Sequence, residues 1–515
     1  MKQQNEFLAE ALSSAKAKSK NSVIKSDDLD RGVRERLMQA GYLEEVMRGW
    51  YLLTTPAGMG TTTLWFSSYW SFIGEYLTER FGGNYCLSAE SSLELHSGQT
   101  TTPLQMQVLT RKPSNQVIEL LHKTSLVLVL DKNFPDTVEK KSGLNVMPLS
   151  VAICRTQPGH FLTNPLSMEI ALKLISSASE LSRVLLAMGS TAAANRIAGA
   201  FEALGEKQKA TQIKNDMTAA GFAIHPVNPF KPGEPLLKSI PRLSSPYVGR
   251  IIALWEKMRP GVIDSFPKHG DDLDKRSALK IIERLYEQDA YHSLSIEGYQ
   301  VTEDMIARIK SGEWNPDNGK KDNEQKNAMA AKGYFNAFKS VGKSVNQVLN
   351  QKDAAKVLEH DLQTWYRELF TPSVQAKILK PEQLAGYRNC PVYIQKSFHV
   401  PPPESAVVDS MEVFFDLLKK EENTAVRAVL GHFIFVYIHP YVDGNGRIGR
   451  FILNLMLASG GYHWTIIRVS ERVRYMASLE EATVNGNIVP FTKFIAGEMK
   501  FWNKEVNKIL KEKNY

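Results

Sequence analysis

The sequence predicts a mainly α-helical protein, in which a helical C-terminal domain with a small β-hairpin flap follows a winged helix and a mixed α/β middle domain. Three observations support this fold class. From about residue 247 onward, apolar residues recur at helical spacing. Residues 43–53 are rich in β-formers around Arg48-Gly49, which is typical of a short hairpin. Residues 225–246 contain six prolines and indicate the main domain boundary.

Length and composition are those of an ordinary globular protein. The chain has 515 residues, of which 43% are hydrophobic and 23% are charged, and this composition excludes a collagen-like, fibrous or wholly disordered chain. At about 150 residues per domain, the length predicts roughly three domains. We assign them to residues 1–58, 59–240 and 247–515.

Cysteine usage and hydropathy predict a cytoplasmic protein with no membrane partner. Cys86, Cys154 and Cys390 are too few and too widely spaced for a disulfide framework or a cysteine zinc site. No apolar run approaches the ~20 residues that a membrane-spanning helix needs. The first twenty residues also lack the apolar core of a secretory signal.

Net charge favours an anionic partner only mildly. The formal charge is +8 and the sequence pI is near 9.0, which suits nucleic acid, nucleotide or phosphate. Spread over 515 residues, the same excess also suits a solvated surface without a special partner. The position of the basic residues must therefore decide between the two.

The N-terminal region has the layout of a winged helix. Residues 27–42 predict a helix, and the hairpin follows it directly. The runs Gly41-Tyr42-Leu43 and Arg48-Gly49-Trp50-Tyr51 resemble the N-terminal domain of AbiEi-type antitoxins, and residues 85–96 resemble the region behind it. This resemblance implies DNA binding. The alternative is plain scaffold, and residues 1–56 hold nine basic against eight acidic residues, so the charge excess lies elsewhere.

The middle region shows no metal-binding spacing and no catalytic motif. Residues 117–131 predict two buried strands, and residues 167–204 are rich in helix formers and small residues. Its histidines show no metal-ligand spacing, and we interpret them as structural. Further on, residues 312–323 predict a polar loop, and residues 384–403 predict an extended flap inside the helical domain because prolines and alternating apolar residues interrupt the helical pattern.

The most informative segment is His439–Arg450, HPYVDGNGRIGR. Apolar runs precede and follow it, so the motif predicts a helix–loop–helix junction in which Gly444-Asn445-Gly446 opens the second helix. Glycines let successive backbone N–H groups converge, and a helix N-terminus adds its dipole, which predicts an anion-binding nest. Arg447 and Arg450 lie three residues apart and can clamp phosphate oxygens.

Two further side chains complete the predicted site. Asp443 offers a hard oxygen ligand suited to a partly hydrated Mg²⁺ that bridges phosphates. His439 has a pKa suited to accepting a proton. Together these residues predict phosphoryl or nucleotidyl transfer. A G-x-G-x-x-G pattern ending at Gly449, with Glu471 about 20 residues beyond, offers a dinucleotide fold as a weaker alternative.

HPYVDGNGRIGR resembles the signature of the Fic family, H-P-F-x-D/E-G-N-G-R-x-x-R, with Tyr441 in place of phenylalanine. Flanking segments at 386–402 and 474–491 also resemble that family. The resemblance implies AMP transfer from ATP to a Ser, Thr or Tyr hydroxyl of a target protein, with auto-modification as a further possibility, and a flap at 390–401 that pins the target by β-augmentation.

The same resemblance implies a role for each site residue. His439 would be the general base and Asp443 the magnesium ligand. The phosphate-binding and nucleotide-binding group would comprise Gly444, Asn445, Gly446, Arg447, Arg450 and Tyr475, of which Arg450 would hold the γ-phosphate and Tyr475 would border the adenine.

Residues 293–298, SLSIEG, resemble the inhibitory motif S/T-x-x-x-E-G/N of the same family. Ser293 and Glu297 lie four residues apart, on one helix face, and Gly298 closes the motif. Glu297 would pair with Arg450 and so keep the γ-phosphate out. A helix that simply ends at Glu-Gly is the alternative interpretation of the motif.

The function keeps several alternatives. Related glutamates can instead support AMP removal, so de-AMPylation stays open, as does transfer of another phosphate group. A DNA-binding, antitoxin-like regulator is the third alternative.

Overall fold

The computed structural model describes residues 2–20, 22–56, 62–112, 114–231, 235–240, 242–267, 275–313 and 322–511. It divides the chain into two compact units. Unit 1 comprises Met1–Arg250 with Tyr393–Val400, and unit 2 comprises Ile251–Val392 with Pro401–Tyr515. The boundary at Arg250 follows the proline-rich stretch closely. Within the described ranges, no helix has the length and apolar character needed to cross a membrane.

Unit 1 begins with a small three-stranded sheet packed with helices. Its elements are α1 (Lys2–Lys18), β1 (Val23–Lys25), α2 (Arg31–Gln39), β2 (Leu43–Met47) and β3 (Trp50–Leu53). The strand order is β1-β3-β2, and both pairings are antiparallel. The predicted hairpin is confirmed. The predicted helix is shorter than residues 27–42, because a single 3-10 turn at Ser26–Asp28 precedes it.

The rest of unit 1 contains a four-stranded sheet, a two-stranded sheet and a group of helices. The elements are α3 (Thr62–Phe81), β4 (Tyr85–Leu87), α4 (Ala89–His96), β5 (Gln105–Thr110), β6 (Gln116–Glu119), β7 (Ser125–Leu130), β8 (Glu139–Lys141), β9 (Leu144–Val146), α5 (Leu149–Arg155), α6 (His160–Thr163), α7 (Pro165–Leu174), α8 (Ala178–Met188), α9 (Thr191–Ala203) and α10 (Lys207–Ala219). The larger sheet has the order β4-β5-β7-β6, with β5 and β7 parallel, and β8 pairs with β9 in the smaller one.

The two strands predicted within 117–131 both exist, but only one is buried. Leu126 and Leu128 of β7 are almost fully buried, whereas Val117 of β6 is 55% exposed. The difference follows from position, because β7 lies between two strands and β6 lies at the sheet edge. Sequence periodicity cannot separate an edge strand from a central one.

The regular secondary structure in the described residues of unit 2 is helical, with loops between the helices. Its elements are α11 (Pro246–Ser265, whose first turn lies in unit 1), α12 (Lys275–Ile296), α13 (Glu303–Ser311), α14 (Asp322–Leu349), α15 (Ala354–Gln375), α16 (Val407–Lys420), α17 (Thr424–Ile438), α18 (Asn445–Ser459), α19 (Arg472–Asn485) and α20 (Val489–Lys511). Helices α17 and α18 are buried along most of their length and form the centre of the core. Most of the predicted polar loop, residues 314–321, lies outside the described residues.

The predicted flap is extended, but its described residues form no hairpin. Its single β-bridge joins His399 to Thr101, and the Val400 N–H donates to the Thr100 carbonyl at 2.7 Å. Pro391 and the prolines at 401–403 flank this stretch, and proline has no N–H with which to extend a ladder. Residues 393–400 therefore belong to unit 1, although the chain on either side belongs to unit 2.

Candidate active site

The predicted helix–loop–helix junction is present and is built by local hydrogen bonds. Helix α17 ends at Ile438, and α18 begins at Asn445 with Gly444 as its N-cap. The Asn445 amide closes the loop between them, since it accepts from the Tyr441 N–H at 3.0 Å and donates to the Tyr441 carbonyl at 2.8 Å. The Asn445 side chain thus shapes the loop, and only its backbone remains for an anion.

The start of α18 has the shape of an anion-binding nest. Gly444 has a φ of +86°, which a side chain would strain. A Cβ there would also lie 2.9 Å from the Phe370 ring, and a Cβ on Gly446 would collide with the Glu297 carboxylate. The first backbone N–H groups of a helix lack partners within it. The missing side chain at Gly446 therefore leaves room for the Glu297 carboxylate beside the start of α18.

Arg450 is the centre of the predicted inhibitory contact. Its Nη2 donates to Glu297 Oε1 at 2.7 Å and to the Ser293 carbonyl at 3.0 Å, and its Nε donates to Ser293 Oγ at 2.8 Å. The arginine side chain is only 5% exposed. The structure thus brings Ser293, Glu297 and Arg450 together as the sequence predicts.

The end of α12 explains why the Ser293 carbonyl can accept from Arg450. The Glu297 N–H bonds to the Leu294 carbonyl at 3.1 Å and not to that of Ser293. The Ser293 carbonyl is therefore one of the orphan acceptors at a helix C-terminus, where a cation is also favoured by the helix dipole.

Asp443 lies beside the nest and is engaged by three donors. Its Oδ1 accepts from the Gly444 N–H at 2.6 Å, and its Oδ2 accepts from Arg447 Nη2 at 3.0 Å and from the Tyr299 hydroxyl at 3.3 Å. Partial burial works to raise the pKa of Asp443, but the Arg447 charge and these hydrogen bonds outweigh it and lower the pKa. The group is a carboxylate at neutral pH.

Arg447 is buried between two aromatic rings. Its guanidinium carbon lies 5.2 Å from the Tyr299 ring centroid and 5.0 Å from that of Phe370. Its side chain is 1% exposed, and its Nε meets no hydrogen-bond acceptor among the described residues. A buried guanidinium with an unused donor is suited to receive an anionic oxygen.

His439 is placed to act as a base. It ends α17 with a φ of +53°, and its Nδ1 lies 3.1 Å from the Val436 carbonyl. That contact fixes the hydrogen on Nδ1 and leaves the Nε2 lone pair to accept a proton. Desolvation by burial lowers the pKa of His439 to about 4, so the imidazole is neutral at pH 7. Arg388 holds this loop, since its Nε donates to the His439 carbonyl at 2.8 Å.

Comparison with known proteins agrees with this geometry. Residues 356–457 match the Fic/DOC family. These residues are therefore similar to a Fic domain. Similar proteins are the Protein adenylyltransferase Fic of Nematostella vectensis, 30% identical over 42% of this chain and 48% of that protein, and the protein of the same name from Drosophila willistoni, 30% identical over 43% and 42%. The chain thus spans about half the length of these curated relatives.

A solved structure of Fic-1 (aa134–508) from C. elegans is also similar, with 20% identity and a TM-score of 0.36. The match covers 71% of this chain and 98% of the chain in that structure. In our structure, the residues that would form the strand of a dinucleotide fold, Phe433–Ile438, are helical. The dinucleotide alternative therefore has no structural basis.

Tyr475 lies outside the matched residues 356–457 and is a buried neighbour of Arg450. It is 1% exposed, and its hydroxyl lies 2.8 Å from Nε2 of His432. Its ring packs near Phe491 and Phe494. Its place beside the adenine stays a prediction.

Of the predicted site residues, Asp443 is the carboxylate that the sequence assigns to a metal. Among the described residues, no group of three or more His, Cys, Asp or Glu side chains could hold a metal. Asp443 alone, next to an anion nest, nevertheless fits a Mg²⁺ that arrives with nucleotide phosphates, because that ion keeps several waters and uses one or two carboxylates.

Sequence reasoning missed three residues of the site. Phe370 and Tyr299 cover Arg447, and Arg388 anchors the His439 loop. Arg388 lies within the segment that resembles the family, but the resemblance assigned it no role. For Phe370 no local signal exists, whereas Tyr299 could have been found from its place directly after the inhibitory motif.

Proposed function

We propose that the Fic domain is a protein adenylyltransferase that moves AMP from ATP to a Ser, Thr or Tyr hydroxyl of a target protein, and that Glu297 inhibits it. The observation that carries the proposal is the ion pair between Arg450 of α18 and Glu297, because Arg450 belongs to the same loop–helix segment as His439 and Asp443. The names of the relatives support the same reaction.

The proposed reaction assigns one task to each group. His439 Nε2 takes the proton of the target hydroxyl, whose oxygen forms a bond to the α-phosphorus of ATP. The bond from that phosphorus to the oxygen bridging to the β-phosphate breaks, and pyrophosphate leaves. Asp443 would supply the carboxylate ligand for a Mg²⁺ bound to ATP, and that ion would help to neutralise the phosphate charges.

The arginines and the nest stabilise charge and fix orientation. The backbone N–H groups at Gly444–Gly446 and the Arg447 guanidinium would neutralise the α- and β-phosphates. Arg450 would hold the γ-phosphate and so place the leaving group in line with the attacking oxygen. Glu297 pairs with Arg450 in this structure, so it would both repel the nucleotide and withhold Arg450 from the γ-phosphate.

The first test compares labelling of protein by α-labelled ATP and Mg²⁺. We expect Glu297→Gly to raise auto-labelling by about one to two orders of magnitude, because it removes a charged hydrogen bond. Adding His439→Ala to that variant should abolish the labelling. Adding His463→Ala, which changes a histidine outside the motif, is the matched control and should leave it high. Labelling that survives His439→Ala would exclude the proposed base.

The modified protein can be identified with the same variants. Incubation of a cell lysate with Glu297→Gly protein and ATP, followed by mass spectrometry, should show a gain of AMP on hydroxyl side chains. The doubly changed protein with His439→Ala is the control. We place the reaction in the cytoplasm, in keeping with three free cysteines, of which Cys86 and Cys154 are buried.

We further propose that residues 1–58 form a winged helix that binds DNA. The antiparallel β1-β3-β2 sheet with α2 before its hairpin supports this. Arg31 and Arg36 lie on α2, and Arg48 lies at the hairpin turn. The full chain should shift duplex DNA at low salt, and the shift should weaken as salt rises. If Arg31→Ala with Arg48→Ala binds DNA as well as the unchanged chain does, these elements are scaffold.

A further inference from the structure

Tyr299 directly follows the inhibitory motif in the sequence, and its side chain contacts Asp443 and Arg447. The chain leaves α12 by a turn in which the Gly298 N–H donates to the Ser295 carbonyl and the Tyr299 N–H donates to the Leu294 carbonyl, both at 3.1 Å. Gly298 has a φ of +86°. This pair of bonds around a left-handed glycine is the Schellman motif. One turn therefore sets the positions of both Glu297 and Tyr299.

The two side chains engage different parts of the site. Glu297 forms an ion pair with Arg450, whereas the Tyr299 hydroxyl donates a hydrogen bond to Asp443 Oδ2 at 3.3 Å. The Tyr299 ring also covers the guanidinium of Arg447 at 5.2 Å. These are the carboxylate that would meet the magnesium of the nucleotide and the arginine that would meet its phosphates.

Asp443 has little acceptor capacity left in this arrangement. Gly444 uses its Oδ1, while Arg447 and Tyr299 share its Oδ2. A metal ligand must present lone pairs to the ion, so the contact from Tyr299 competes with binding of the magnesium complex. The Asp443 side chain is 56% exposed, so it is accessible to an entering nucleotide once Tyr299 leaves.

We infer that Tyr299 is the second arm of the inhibitory switch: it holds Asp443 and Arg447 in a closed arrangement and opposes MgATP, but not metal-free ATP. This inference rests on the proposed function of Glu297. Glu297 opposes binding of the phosphates to Arg450, whereas Tyr299 opposes coordination of the metal ion by Asp443. The two arms are joined by the turn at Gly298.

The test measures nucleotide affinity by calorimetry, without any transfer reaction. Tyr299→Phe removes the hydroxyl but keeps the ring over Arg447. We expect it to tighten binding of MgATP about tenfold, since one hydrogen bond to a charged group is lost in the closed state. Affinity for ATP in EDTA should stay unchanged. Tyr291→Phe, on the same helix α12 but outside the inhibitory motif, is the matched control and should change neither affinity.

The outcomes separate this inference from the proposed inhibition by Glu297. If Glu297→Gly tightens MgATP binding and Tyr299→Phe does not, the role of Tyr299 is wrong and that of Glu297 stands. Equal tightening by Tyr299→Phe with and without magnesium also overturns the inference, because it would indicate general loosening of α12. If Glu297→Gly leaves both affinities unchanged, the proposed inhibition itself fails.

Discussion

At the scale of single residues, the environment of His439 predicts an unusual pH dependence. Burial lowers the pKa of its imidazole to about 4, so the neutral form dominates from pH 5 upward. In Glu297→Gly protein, the auto-labelling rate should be flat between pH 6 and 8 and should fall only as the pH approaches 4. A half-maximal rate near pH 6.5, the ordinary histidine value, would contradict this environment. Return to pH 7.5 should restore the rate and serves as the control for folding.

Ser293 should contribute less to inhibition than Glu297 does. Its hydroxyl accepts from Arg450 Nε at 2.8 Å, but its carbonyl also accepts from Arg450 and does not depend on the side chain. Ser293→Ala should therefore raise auto-labelling by only about three- to tenfold, as expected for one hydrogen bond of about 1 kcal/mol. Ser293→Thr keeps the hydroxyl and should stay inhibited. If Ser293→Ala activates the protein as strongly as Glu297→Gly does, the inhibition depends on the Ser293 hydroxyl and not mainly on Glu297.

At the scale of elements, the turn after α12 is the feature on which the switch depends. A Cβ on Gly298 would meet nothing within 4 Å, so the cost of Gly298→Ala comes from its left-handed backbone alone. That cost is about 1–2 kcal/mol. Because the strained turn carries both Glu297 and Tyr299, the variant should lose this much stability to denaturant and also gain auto-labelling.

Gly312 supplies the matched control for that change. It ends α13 with a φ of +83°, and a Cβ there would also meet nothing within 4 Å. Gly312→Ala should lower the free energy of unfolding by a similar amount without raising auto-labelling. If both variants activate equally, activation reports general destabilisation and not the turn at Gly298.

The elements that sequence predicts well are those built by neighbours along the chain. The α17–loop–α18 junction follows from two apolar runs and a glycine pair, and the inhibitory motif follows from spacing on one helix face. The contact of Tyr299 with Asp443 spans 144 positions, and that of Arg388 with His439 spans 51. Such pairs depend on how helices pack, and no local pattern encodes that packing. The predicted hairpin of the flap is absent for the same reason, because the bridge partner of His399 in the flap is Thr101, which lies about 300 residues earlier in the chain.

At the scale of the whole molecule, each of the two units has a hydrophobic core of its own. The core of unit 2 surrounds α17 and α18 and carries the site residues on its central helices. In unit 1 the core is divided among three clusters: one joins α1 and α2 to the small N-terminal sheet, one lies beside α3, where Phe398 of the extended stretch packs, and one is built mainly by α4 to α10. The net charge of +8 is not concentrated in residues 1–56, so the buried arginines of unit 2 are the best-supported anion site.

The stretch at 393–400 supplies a prediction about unit 1 itself. The Lys396 N–H donates to the Thr63 hydroxyl at 2.8 Å, and Phe398 packs against Phe66 with ring centroids 4.7 Å apart. Thr63→Val keeps the shape of the side chain but removes the acceptor. Because one hydrogen bond contributes about 1 kcal/mol, we expect amide exchange at Lys396 to accelerate about fivefold. Thr63→Ser keeps the hydroxyl and should not accelerate it, and amides of α17 should be unaffected by either change. Unchanged exchange at Lys396 in Thr63→Val would show that this bond does not hold the stretch.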